Sequence, residues 1–281
     1  MFVNINAYSC AGLEHNEDAV YTAEGLLIVM DGASGLNGIH RTDAPTDACW
    51  LSHTAVALLA EKLNASERSI AEALEETAEA LRQGLAAFGY PEEPELYPSG
   101  SLMIARRLGG EIELYTLGDC TALIRWRDGR PVCCCHDAAV TRLDNAVLTR
   151  AQKLADNCGG SVAQALPELR SYVVENRRLR NREGGYWIFD PSGRGIAHGQ
   201  RLLLPAGEVH SLALMSDGFY DIAQLEGGPT HEELMTLLEN TPAAKLVEGL
   251  YEALEADPLL DRLPRFKLKD DATVAYARVE P

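Results

Sequence analysis

The sequence predicts an α+β fold in which mostly antiparallel sheets are covered by pairs of helices. Three observations point there. Strand-like segments open and close the chain, at residues 2–9 and 272–279. Helix-like segments come in consecutive pairs, as at 46–63 with the segment beginning at 69, and at 231–238 with 243–254. The strands between them are separated by hairpin turns, which argues against a regular βαβ repeat.

Residues 2–9 alternate in the manner of a strand. A polar turn over 12–18 leads into Ala19-Val20-Tyr21, which brings Glu17 and Asp18 close to the next strand. In that strand Leu26-Leu27-Ile28-Val29-Met30 is an unbroken apolar run bounded by turn formers, so it reads as buried on both faces. It delivers Asp31 to its end, where Gly32 lets the backbone turn. Residues 35–45 read as a loop. Trp50, Leu51, Val56, Leu58 and Leu59 recur at helical spacing over 46–63. Ser69-Ile70-Ala71-Glu72 fits a capping box, and Ile70, Leu74, Ala78, Leu81 and Leu85 form the buried stripe behind it.

The acidic connector at 91–95 reads as surface. Strands follow at 101–107, 112–117, 122–126 and 131–135, punctuated by Gly109-Gly110 and Asp128-Gly129 as hairpin turns. Residues 138–157 read as a helix ending at Gly159-Gly160, and 166–182 as a second helix of mixed polarity. Residues 184–190 read as a turn into a short aromatic strand. A second buried strand, 209–215, ends in Ser216-Asp217-Gly218.

At 281 residues the chain suits one large domain or two small ones, and 46% apolar residues provide a sizeable core. A net charge of -17 argues against nucleic acid, which needs clustered Lys and Arg. The basic run at 177–182 reads either as a solvated helix face or loop, or as a patch that meets an anionic substrate or partner. Seven cysteines without a Cys-x-x-Cys pair form neither a disulfide framework nor a zinc site. Cys133-Cys134-Cys135 reads as small apolar strand filler. No secretory leader and no run near the ~18 apolar residues of a membrane span is present, so a soluble cytoplasmic protein is expected. There is no internal repeat and no Gly-rich phosphate loop.

Carboxylates recur at strand ends: Asp31, Asp119, Asp217, and Asp270-Asp271 before the last strand. Asp-Gly often does no more than turn a chain, as Asp128-Gly129 does among charged neighbours. Asp31 and Asp217 differ in ending strands that are apolar on both faces. Carboxylates gathered at one site repel unless protons or cations compensate them. Oxygen donors without His or Cys select Mg²⁺ or Mn²⁺. Two such ions about 3.5–4 Å apart can lower the pKa of a water and clamp a phosphoryl group during in-line attack. His15, His40, His53 and His198 fit no H-E-x-x-H pattern and read as structural or exposed, and Ser216 lies in no nucleophile elbow.

The ordered set Asn16-Glu17-Asp18, Val29-Met30-Asp31-Gly32, Ser99-Gly100-Ser101, Leu117-Gly118-Asp119, Met215-Ser216-Asp217-Gly218-Phe219-Tyr220-Asp221 and Asp270-Asp271-Ala272-Thr273 resembles the metal-dependent type 2C serine/threonine protein phosphatases, in a divergent bacterial form. It spans residues 16–273. The resemblance implies an α-β-β-α sandwich, with two mostly antiparallel sheets flanked by helical pairs and metals at one end. It implies a single domain over 1–281 with a flap or insert within 136–210, where Asn181 to Trp187 would be either that flap or a packed aromatic turn.

Carried over by position, Asp31 would bridge two Mg²⁺ or Mn²⁺ ions and the Gly32 carbonyl would bind one of them. Glu17 would serve that same ion, Asp217 and Asp270 would hold the other, and Asp18 would orient water on the metals. Asp119 and Asp221 match positions beside a third ion in bacterial members. The catalytic pair would be Asp18 and Asp31.

Three positions depart from the family pattern. Leu13 stands where the family places an arginine that grips the substrate phosphate, so His15 or an arginine such as Arg41 would have to substitute. Ala33 stands where eukaryotic members carry a histidine, and Asp271 where the family often has Asn. The implied activity is hydrolysis of phosphoserine and phosphothreonine by metal-activated water, with a phosphorylated protein as substrate, a cognate kinase as partner, and no nucleic acid or membrane. Leu13 keeps open a non-catalytic, partner-binding member of the fold. A phosphatase of small phosphorylated metabolites is the third reading.

Overall fold

The computed structural model describes residues 1–33, 38, 40–64 and 68–280. The strands are β1 (Phe2–Cys10), β2 (Ala19–Ala23), β3 (Leu26–Ala33), β4 (Ser99–Leu108), β5 (Glu111–Leu117), β6 (Thr121–Trp126), β7 (Cys133–His136), β8 (Gln200–Pro205), β9 (Val209–Met215) and β10 (Ala272–Val279). The α-helices are α1 (Asp47–Leu63), α2 (Ile70–Ala87), α3 (Ala138–Cys158), α4 (Val162–Ala165), α5 (Arg170–Arg177), α6 (Asp217–Tyr220), α7 (His231–Asn240) and α8 (Ala243–Glu255). Among the described residues the strands form two five-stranded sheets, in the orders β1-β10-β9-β6-β7 and β2-β3-β4-β5-β8. Every pairing of neighbouring strands is antiparallel.

The two-residue period of the strands explains the layers. Along β3, Leu26, Ile28 and Met30 pack against Leu51, Leu59 and Leu74 of α1 and α2. Leu27 and Val29 point the other way, into a core shared with Leu212 and Leu214 of β9 and Ala275 of β10. The outer face of the first sheet, including Ala213, Met215 and Tyr276, is covered by Leu234, Leu238, Leu246 and Leu250 of α7 and α8. The result is the α-β-β-α sandwich. Thr46 caps α1 by accepting the Cys49 N–H, and the Ser69–Glu72 capping box starts α2. Among the described residues no helix is long and apolar enough to cross a membrane.

The loop expected over residues 35–45 includes 35–37 and 39, which lie outside the described residues. Four expectations are corrected. The helix expected over 166–182 is instead a 3-10 turn at Leu166–Leu169, where Pro167 offers no backbone N–H, followed by α5, which ends at Arg177. The aromatic strand expected at 184–190 is only two isolated bridges, Gly100↔Phe189 and Arg180↔Tyr186. Asn181, in the left-handed region at φ 51°, accepts the Ile188 N–H and donates to Asp190, so this segment satisfies itself locally instead of joining a ladder. Strand β8 was not foreseen, because Gln-Arg-Leu-Leu-Leu-Pro does not alternate and lies largely exposed at a sheet edge. Cys133 and Cys134 are exposed on edge strand β7, so they are not core filler.

One polar pair is sealed inside. Arg106 and Glu113 face each other across β4 and β5, with Nη2 2.7 Å from Oε2. Arg201 also donates to Glu113, at 2.6 Å. Glu113→Ala strands a buried guanidinium and is expected to cost about 3–5 kcal/mol, read as a lower urea midpoint at unchanged slope.

Candidate active site

The carboxylates arrive at one end of the sandwich from both sheets. Asp31 shares the inward face of Leu27 and Val29, and Asp18 shares that of Val20 on β2. Asp31 lies opposite Ser101 on β4. Ser101 Oγ accepts the Asp119 N–H at 3.1 Å and hydrogen-bonds the Asp119 carboxylate, which fixes that residue at the end of β5. Gly118 makes the approach feasible: its φ is 89°, and a Cβ there would overlap Ser101 Oγ. Gly32 is likewise required, since a Cβ would overlap the Glu17 carbonyl oxygen.

From the other sheet, β9 and β10 supply Asp217 and Asp270. Their ends are tied by the Ser216 N–H to the Thr273 carbonyl and by the Thr273 N–H to Ser216 Oγ, both 3.0 Å. Asp271 latches the loop that bears Glu17. One oxygen accepts the Gly12 N–H at 2.8 Å and the other the Glu17 N–H at 2.6 Å. An asparagine offers only one acceptor oxygen for those two donors, so the departure at position 271 has a structural purpose.

Glu17, Asp31, Gly32, Asp119, Asp217 and Asp270 all line one cavity of about 370 Å³. Asp221, one helical turn beyond Asp217, lines the adjoining cavity, to which Asp119, Asp217 and Asp270 also contribute. Asp18 lies buried behind them. The sequence reading missed further lining residues: Asp144 of α3, Arg177 of α5, Tyr186, Phe266 and Lys267. Arg177 carried a signal as part of the basic run and Tyr186 as part of the segment Asn181 to Trp187, whereas Asp144, Phe266 and Lys267 carried none. Leu13, His15 and Arg41 do not line the cavity. Leu13 is 64% exposed, and Arg41 donates to the Gly89 carbonyl.

The electrostatics follow from crowding. Burial first, then the charges of Asp217, Asp18, Asp119 and Asp270, hold the Asp31 carboxyl well above the usual carboxylate range. Burial, with Asp119 and Asp270, does the same to Asp217, which is open to the cavity and so partly screened by water there. Burial pushes Asp18 and Asp221 up to about 7. Lys267 Nζ sits 2.7 Å from Asp270 Oδ1 as a counter-charge.

Among the described residues no three Asp, Glu, His or Cys side chains are already drawn together tightly enough to hold a metal. The donor set nevertheless fits a hard divalent cation. It consists of carboxylates and a backbone carbonyl, and the buried Asp18 Oδ2 has no hydrogen-bond partner.

A family model described as Protein phosphatase 2C matches residues 12–265. No individual curated protein is matched by the chain's sequence. Among solved structures, the serine/threonine phosphatase Stp1 from Staphylococcus aureus superposes at TM-score 0.60 and 15% identity, covering 100% of this chain and 96% of that one. The Mycobacterium tuberculosis serine/threonine phosphatase PstP/Ppp gives 0.58 and 20%, covering 100% of each chain. A structure of the PstP catalytic domain in complex with two manganese ions gives 0.57 and 18%, with 99% of each covered. At these identities the structural likeness speaks for the fold.

Proposed function

The chain belongs to the protein phosphatase 2C family, and from that premise we propose that it is a divalent-metal-dependent phosphatase of phosphoserine and phosphothreonine in proteins. The observation that carries the reading is the gathering of Glu17, Asp31, Asp119, Asp217 and Asp270, from both sheets, on one cavity. The manganese ions of the PstP structure support Mg²⁺ or Mn²⁺ as the cofactor. Asp31, Asp217, Asp270, Glu17 and the Gly32 carbonyl would hold two ions, with Asp119 and Asp221 serving a third. Bound ions of this kind supply a lowered pKa for the attacking water and neutralise charge on the phosphoryl oxygens.

The remaining chemistry belongs to the chain. Asp18, sealed from bulk water, would accept a hydrogen bond from the attacking water at Oδ2 and fix its direction. Asp271 holds Glu17 in register through the two N–H groups it accepts. Tyr186 and Ile188 border the cavity because Phe189 pairs with Gly100, one register step from Asp31. We read 1–281 as a single domain and the helices within 136–210 as an insert, which is supported by the small core of Val147, Ala151, Val162 and Leu169 that Leu260 completes. Seven unpaired thiols support a reducing cytoplasmic setting.

The test is phosphate release, with Mn²⁺ present, from phosphoserine, phosphothreonine and phosphotyrosine peptides and from a phosphorylated sugar. Higher kcat/KM on the first two peptides is expected. Preference for the sugar phosphate would reassign the substrate class. Loss of all turnover in a folded, Mn²⁺-binding protein would make it a partner-binding member of the family.

A further inference from the structure

The cavity also has a wall built from α3 and α5. Val140, Leu143 and Val173 give it apolar surface, and Asp144, Asn176 and Arg177 give it polar groups. Among the described lining residues, Arg177 and Lys267 are the two cations. Lys267 is committed to Asp270 at 2.7 Å. The Arg177 side chain forms no hydrogen bond or ion pair with a described residue, and interacts with Asp144 only at longer range. Its neighbours in the basic run are placed differently. Arg180 donates to the Tyr97 and Pro94 carbonyls, Arg182 pairs with Glu95, and Arg178 is exposed away from the cavity lining.

A phosphate monoester approaching this cavity meets six carboxylates: Glu17, Asp31, Asp119, Asp144, Asp217 and Asp270. Cations held by those groups would attract it, but the outer phosphoryl oxygens still need donors. A guanidinium presents a planar fork matched to two such oxygens. We propose that Arg177, delivered by the last turn of α5, binds the phosphoryl group of the substrate. This assignment rests on the phosphatase reading for its substrate class.

A simpler role must be separated from this one, because a cation in the last turn of a helix also stabilises that helix. The experiment uses the full chain loaded with Mn²⁺, with inorganic phosphate as the probe, in the wild type and in Arg177→Ala, Arg177→Lys and Arg178→Ala. Calorimetry gives phosphate and Mn²⁺ affinities, and steady-state kinetics on a phosphothreonine peptide give KM and kcat. In Arg177→Ala the phosphate Kd and the peptide KM should each rise about 10- to 100-fold, with Mn²⁺ affinity unchanged. Arg177→Lys should recover part of the loss, and Arg178→Ala, which removes the same charge, should match the wild type.

Phosphate affinity and KM unchanged in Arg177→Ala would overturn the assignment while leaving the phosphatase reading standing. Equal losses in Arg177→Ala and Arg178→Ala would also overturn it, since general surface charge would then suffice. Arg177-dependent phosphate binding without peptide hydrolysis would support the assignment and remove the phosphatase reading instead. A wild type that binds no phosphate would overturn both.

Discussion

Asp31→Asn should abolish metal-dependent hydrolysis, lowering kcat/KM by at least ~10³-fold, while leaving the metal-free protein folded and raising its melting temperature. The two effects share one cause. Asp31 is the carboxylate on which burial and four neighbouring aspartates bear together. An amide has the same shape but neither the charge a divalent ion needs nor the repulsion that charge creates. Calorimetric scans in chelator should therefore show the variant melting above the wild type, and Mn²⁺ should stabilise only the wild type. Asp31→Asn that still turns over at the wild-type rate would remove Asp31 from the site.

The metal-free protein should also gain stability as pH falls from about 8 toward 5. Asp18 and Asp221 sit at about 7 in the fold against 3.8 as the ordinary value, both chiefly through burial. Between those values the folded chain holds protons that the unfolded chain has released. The stability these groups allow is complete below about 4, is lost as pH rises through 7, and is flat above that. Their combined effect is on the order of a few kcal/mol. Other carboxylates set the lower limit. Against the push of burial, hydrogen bonds from Tyr90 and Thr42 hold Asp47 low, and Arg265 with backbone N–H groups does the same for Asp257. Their contribution disappears as pH falls below about 4, so the optimum without metal lies near pH 4. Saturating Mn²⁺ at pH 7.5 should reverse the trend, adding about 2.7 kcal/mol at a hundredfold excess over Kd. A melting temperature that stays flat from pH 5 to 8 in chelator would contradict the buried, crowded state of these carboxylates.

The strand-end carboxylates of the candidate site were legible because local pattern places them. Asp31 follows a run whose two faces meet different cores, so its inward direction is written in the alternation of Leu27 and Val29 with Ile28 and Met30. Asp270 and Asp271 open β10, whose bounds match the expectation. The segment over 136–210 was not legible in the same way. Arg177 ends α5, which follows the 3-10 turn containing Pro167, and beyond it Asn181 turns the chain and Phe189 bridges to Gly100. The bridge joins segments distant in the sequence, and none of these features has a periodicity to betray it. Asp144 gave no signal either, since one acid on a polar helix looks like any solvated one. Strand β8 was missed because an edge strand with Leu202 and Leu203 exposed shows no inside and outside.

The most direct measurement is p-nitrophenyl phosphate hydrolysis by purified protein stripped with a chelator, then supplied with Mn²⁺ or Mg²⁺. Turnover should vanish on stripping and return with either ion, but not in Asp31→Asn. Turnover that survives complete chelation, or its absence in folded protein shown by calorimetry to bind Mn²⁺, would contradict a metal-dependent phosphatase site.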